Sequence, residues 1–191
     1  MKTSFQLIGS LTIICVLSGA LLAFVNGATY ERIAAVAEIR TAAAAAKVLP
    51  PHETILDPVL LEHAGTTYRF LPAQTADGTL AGFAVAFATS AGYGGEIRMM
   101  LGIDPEGTTT GLVILPGHKE TPGLGAKITE TGFLARFSGK SLADTAWQVR
   151  KDGGEIDEIT AATVSSRAVT DAIQAAATAF ATHSATLTGR K

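Results

Sequence analysis

The sequence predicts an α+β fold, with one apolar N-terminal helix followed by a single domain in which helices pack on an antiparallel sheet. Three observations carry this. Residues 3–30 contain no charged side chain, and residues 7–25 are almost continuously apolar, long enough to cross a bilayer as a helix. Between residues 67 and 115, apolar segments follow one another across short turns with no helical pattern between them. That arrangement argues an antiparallel sheet rather than a βαβ unit. Finally, Val164, Ala168, Val169, Ala172, Ile173, Ala176 and Phe180 recur at three- and four-residue steps, the period of a helix with one packed face.

The 191 residues, 47% of them hydrophobic, suffice for one domain with a core of its own. A cleaved signal peptide is the rival account of the first segment. However, the apolar run is long for one, and no clean small-x-small site follows it. The segment therefore reads as an uncleaved anchor over residues 1–27. Lys2 and the terminal amine are the positive groups before it, while Glu31 and Arg32 cancel after it. The positive-inside rule then places the N-terminus in the cytoplasm and the remaining chain outside, on the periplasmic side of a bacterial inner membrane. Of the 15 basic residues only Lys2 precedes the span, leaving 14 against 17 acidic ones. With no basic run among them, nucleic acid is not an expected partner. Cys15 is the single cysteine and lies inside the apolar run, so the body carries no disulfide, iron–sulfur cluster or cysteine zinc site. His52, His63, His118 and His183 lack metal-ligand spacing, and no metal is expected. Electron transfer by this chain would need an organic cofactor.

Residues 28–50 read as an alanine-rich helix, either a stalk or a packing helix, stopped by Leu49-Pro50-Pro51. Residues 50–66 read as irregular, with a short helix over 59–64. The domain proper is expected over residues 51–191.

Residues 67–71 alternate like a half-buried strand, and 80–89 form a stronger one beyond the Asp77-Gly78 turn. Strands at 96–103 and 111–115 follow, separated by the turn at Asp104-Pro105-Glu106-Gly107. Gly92-Tyr93-Gly94-Gly95 has neither the spacing nor the following helix of a dinucleotide fingerprint and reads as a hairpin loop. Pro122-Gly123 suits the centre of a type II turn, and Gly125 suits a tight bend or close approach. Residues 129–137 read as a helix, 147–149 as a short strand, and 183–191 as a frayed tail.

Thr160, Thr163, Ser165 and Ser166 crowd the start of the last helix. Unpaired N–H groups and the helix dipole favour an anion there, most naturally a phosphate; the alternative is that Thr163 or a neighbour is an N-cap. Asp157-x-x-Thr160-Ala161-Ala162-Thr163 resembles the flavinylation motif Asp-x-x-(Ser/Thr)-Gly-Ala-Thr. That motif marks the FMN-binding domain of the G subunit of Rnf-type ion-translocating electron-transport complexes, and of the related C subunit of the sodium-pumping quinone reductase. His118-x-Glu120-Thr121-Pro122-Gly123-Leu124-Gly125 is similar to a second element of that family at all seven of its fixed positions. The resemblance spans essentially the whole chain, anchor included.

The resemblance implies an α+β FMN-binding domain with FMN joined to Thr163 by a phosphoester. Asp157, Thr160 and Ala162 stand on matching motif positions, Asp157 for recognition by a flavin transferase. Ala161 replaces the family's glycine, which serves either a positive φ or a close approach. By the same resemblance, amides of the Thr121–Gly125 turn and Leu124 line the isoalloxazine, with Tyr93 nearby. Glu120 and His118 either tune the ring or support the turn. Lys127 and Arg167 either face the phosphate or are solvated. The function implied is an electron-carrying subunit of a membrane-bound, ion-translocating oxidoreductase complex, without turnover of its own. Its partners are the other subunits, the flavin transferase and the lipid bilayer. A C-type subunit, a stand-alone flavinylated carrier, and a flavin-free anchored structural subunit are the alternatives.

Overall fold

A computed structural model of the chain describes residues 2–188. The chain divides into two units, Met1–Thr41 and Ala42–Lys191. Helix α1 spans Lys2–Val48, so the first unit is helical throughout its described residues. From Gln6 onward α1 is long and apolar enough to cross a membrane, and Leu7, Leu17, Leu22 and Phe24 are exposed along it.

The second unit is built on six antiparallel strands: β1 (Thr54–Ile55), β2 (Val59–His63), β3 (Thr66–Gln74), β4 (Leu80–Gly92), β5 (Gly95–Ile103) and β6 (Thr109–Ile114). The order is β1-β3-β4-β5-β6, with β2 also pairing β3. Pro72 lies on β3 between the stretch that pairs β2 and the stretch that pairs β1. Proline has no ladder donor to lose at such a break.

Period-two alternation sorts β4 and β5 onto two buried faces. Phe83, Val85, Phe87, Ile97, Met99, Leu101 and Ile103 enter the main core with Trp147 and the apolar stripe of helix α3 (Thr163–Thr188). Ala84 and Met100 face the other way and join a smaller cluster with Leu71, Ala44, Ala45, Val48 and Leu49. The last turns of α1 that belong to this unit therefore cover the back of the sheet. Gly102 makes that possible, because a Cβ there would lie 2.1 Å from the Val48 carbonyl oxygen. Thr110 donates its hydroxyl to the same oxygen, satisfying a helix-end carbonyl.

Four sequence expectations need correction. Residues 50–53 and 56–58 are irregular as expected, but Thr54–Ile55 and Val59–His63 form β1 and β2 in place of any helix, and β2 joins β3 through Ala64 (φ 48°) and Gly65 (φ 77°). Positive φ at both central positions matches the twist of a hairpin, and Ala-Gly lacks the asparagine or aspartate that usually signals such a turn. The helix expected over 129–137 is broken into a 3-10 turn (Gly125–Thr129), a single α-turn α2 (Thr131–Leu134) and another 3-10 turn (Ala135–Phe137). Residues 147–149 are not a strand; Val149 makes one isolated parallel bridge to Ile156. The expected frayed tail is helical to Thr188, and residues 189–191 lie outside the described residues.

Candidate functional site

The second element folds as a Pro-Gly β-turn. Leu124 N–H donates to the Thr121 carbonyl at 3.1 Å, and Gly123 takes φ 76°, the conformation a type II turn requires at its third position. Ala126 N–H donates to the same carbonyl at 3.0 Å. Of the turn amides expected to line a flavin, that of Leu124 is thus engaged within the turn.

Asp157–Thr163 folds as a second β-turn running into α3. Ala162 N–H donates to the Ile159 carbonyl at 2.9 Å, and Ala161, third in the turn, has φ 62°. Positive φ is what glycine supplies most cheaply, which accounts for glycine in the family motif at this position. Ser166 locks the turn from below: its hydroxyl accepts the Ile159 N–H at 2.9 Å and donates to the Ala162 carbonyl at 3.0 Å.

Helix α3 begins at Thr163, so the residue before it, Ala162, has no side chain able to cap. The Thr163 hydroxyl makes no hydrogen bond to any described residue. It is half-buried at a helix N-terminus, where the first amides lack intrahelical acceptors and the dipole favours negative charge.

These two turns and the β4–β5 hairpin enclose a cleft of about 480 Å³, lined by Tyr93, Glu120, Thr121, Leu124, Gly125, Ala161, Ala162, Thr163, Val164 and Ser165. Nine of the sequence-selected residues are therefore brought together from three separate parts of the chain. The volume falls within the usual range of small-molecule sites, and the mixture of apolar walls and a few polar groups is typical of them. Tyr93, at the hairpin tip, is 74% exposed, Val164 47% and Leu124 43%, an apolar rim left open to solvent. Val164 was expected in the helix core stripe but lines the cleft instead, on the first turn of α3.

Glu120 sits beneath the cleft, 5% exposed. Its carboxylate accepts the Gly94 N–H at 3.0 Å and the Ser165 hydroxyl at 2.5 Å. A Cβ on Gly125 would lie 2.3 Å from Glu120 Oε2, so only glycine allows this approach.

The other selected residues lie outside the lining. Thr160, Pro122 and Gly123 are exposed on the two turns, and Lys127 is exposed on the following 3-10 turn. His118 Nδ1 accepts the Glu120 N–H at 3.4 Å. Arg167 is committed to Asp152 through two hydrogen bonds of 2.6 and 2.9 Å. That pairing holds the Asp152 carboxyl below the usual carboxylate range and the guanidinium above its own. Asp157 pairs with Arg150 at 2.8 Å, and its carbonyl accepts from Arg136. Among the described residues no lysine or arginine lines the cleft, and the α3 N-terminus contributes positive potential there.

The sequence profile of the FMN-binding domain matches residues 92–178, from the hairpin tip through both turns and most of α3. The G subunit of the ion-translocating oxidoreductase complex of Shewanella piezotolerans is 34% identical over 192 residues, covering 93% of this chain and 88% of the relative. Its counterpart in Shewanella loihica is 32% identical over 200 residues, covering 97% and 92%. The Vibrio vulnificus counterpart is 43% identical over 105 residues, covering 52% and 49%. The crystal structure of Shewanella oneidensis NqrC superposes with a TM-score of 0.49 at 26% identity, over 56% of this chain and 54% of that one. By its near-full-length identity to the two Shewanella proteins and its match to the FMN-binding profile, the chain belongs to the family of G subunits of ion-translocating oxidoreductase complexes.

Proposed function

We propose that this chain carries electrons within a membrane-bound, ion-translocating oxidoreductase complex through an FMN joined by a phosphoester to Thr163. The observation that carries this is the unpartnered Thr163 hydroxyl at the N-terminus of a 26-residue helix, opening into a cleft built from both motif segments. When bound, FMN supplies electron transfer in one- or two-electron steps. The residues supply the rest. The first amides of α3 and its dipole stabilise phosphate charge. Tyr93, Leu124 and Val164 offer apolar surface to a planar ring. Gly125 leaves room for the buried Glu120, whose negative charge lies under the cleft and acts on the cofactor's potential. Thr160 and Ala161 form the exposed turn beside the attachment point. The turn forms with alanine at φ 62°, which weakens the case for a flavin-free structural subunit.

In this proposal residues 1–27 anchor the protein in the bacterial inner membrane. Residues 28–50 continue from the anchor as a helical stalk whose last turns, from Ala44, serve as a packing helix on the sheet, and residues 51–191 lie on the periplasmic side. Other subunits of the complex donate and accept electrons, and a flavin transferase that reads Asp157 installs the cofactor. Covalent attachment suits a compartment where a dissociated cofactor is not readily replaced. Intact-mass analysis of the full chain, made with a flavin transferase, tests the proposal beside a Thr163→Ala variant. A gain of one FMN less one water, absent from the variant, is expected. No gain in the wild-type chain, or the same gain in the variant, overturns it.

A further inference from the structure

We infer that Glu120 is a positioning residue that sets the aperture of the cleft by tying its two walls together. Resting on the FMN proposal for its functional meaning, the inference stands on geometry that needs no ligand. One wall is the β4–β5 hairpin carrying Tyr93, and the other is the first turn of α3 carrying Thr163. The two are far apart in sequence. Glu120 bonds both, accepting the Gly94 N–H on Oε1 and the Ser165 O–H on Oε2. Two donors and no cation meet it: among the described residues, none of the ion pairs includes Glu120. A carboxylate is acceptor-only, so one side chain can take a donor from each wall without a geometric conflict. The surroundings are cut to its shape. A Cβ on Gly92 would lie 2.7 Å from Oε1 and one on Gly125 2.3 Å from Oε2, so backbone closes on the carboxylate from both sides.

What the bridge requires is reach, with charge secondary. Glutamine has the same reach: its amide oxygen accepts from Gly94 and its amide nitrogen donates to the Ser165 oxygen. Aspartate keeps the charge but is one methylene short of spanning both partners. The test is residue-resolved amide hydrogen exchange on the full chain in detergent, in a Thr163→Ala background that carries no flavin. Glu120→Asp is expected to speed Gly94 exchange about tenfold, the equilibrium change for losing one hydrogen bond, while Glu120→Gln stays close to the parent. In the Thr163 protein, flavin loading followed by mass should slow in the Asp variant and be retained in the Gln variant, with the Gln variant melting near wild type and the Asp variant a few degrees below it. Slow Gly94 exchange in the Asp variant, or fast exchange in the Gln variant, overturns the inference. Because exchange is read without flavin, failure of wild-type loading would sink the FMN proposal while leaving the bridge standing.

Discussion

Ser166 and Ile159 are joined by a hydrogen bond of 2.9 Å in which the Ser166 hydroxyl accepts the Ile159 amide proton. Ser166 is fully buried and Ile159 nearly so. This bond fixes the turn that delivers Thr163 to the cleft. Ser166→Ala leaves the Ile159 N–H without its partner, at a cost of about 1–3 kcal/mol. Thermal unfolding of the full chain should show a fall in Tm of roughly 2–4 °C per kcal/mol, with slower flavin loading. An unchanged Tm would mean that the turn holds itself.

Ala161 occupies the left-handed region at φ 62°. That conformation costs an L-residue roughly 1–2 kcal/mol, whereas glycine loses about 0.4–1 kcal/mol more chain entropy on folding. Ala161→Gly should therefore stabilise the protein by about 0.5–1 kcal/mol and leave attachment at Thr163 intact. Paired melting curves and intact masses check both halves, and a lower Tm in the variant would contradict the first.

Glu120→Gln removes a buried negative charge from beneath the cleft while preserving shape. The flavin midpoint potential should rise, on the order of tens of millivolts for one charge at an effective dielectric of about 20, and the flavin should remain attached. Spectroelectrochemical titration of the loaded protein decides this. An identical potential would leave Glu120 with positioning alone.

Asp152 and Arg167 give a pH-dependent prediction. Hydrogen bonding from Arg167, aided by its charge, depresses the folded-state pKa of Asp152. A depressed carboxyl contributes stability above the unfolded aspartate value of about 4. It loses that contribution as pH falls through the folded value. Both groups are substantially exposed, so the effect is small and screened by salt. Asp152→Asn should melt slightly below wild type at pH 7, with the gap closing below about pH 4. A gap that persists in acid would assign the loss to packing instead.

Legibility in the sequence followed the range of the interaction. The apolar span, the alternation of β4 and β5, the stripe of α3 and the Pro-Gly turn are local patterns, each set by side chains a few residues apart. The β2 strand is not legible locally because its identity comes from pairing with β3, and its Ala64-Gly65 turn reaches positive φ without the usual residues. Val164 fits the helical period, yet it opens into the cleft while Ser165 and Ser166 on the same turn are buried.

From the sequence alone came an α+β domain behind one apolar helix, and two motifs whose resemblance implies an FMN-binding site. Only the tertiary structure decided that the motifs share a cleft with Tyr93, that Arg167 is spent on Asp152, and that Glu120 bridges Gly94 to Ser165. The physical reason is the same in each case. A donor's partner is chosen by distance in space, and residues 26 and 45 positions from Glu120 become its neighbours once the sheet and α3 have packed.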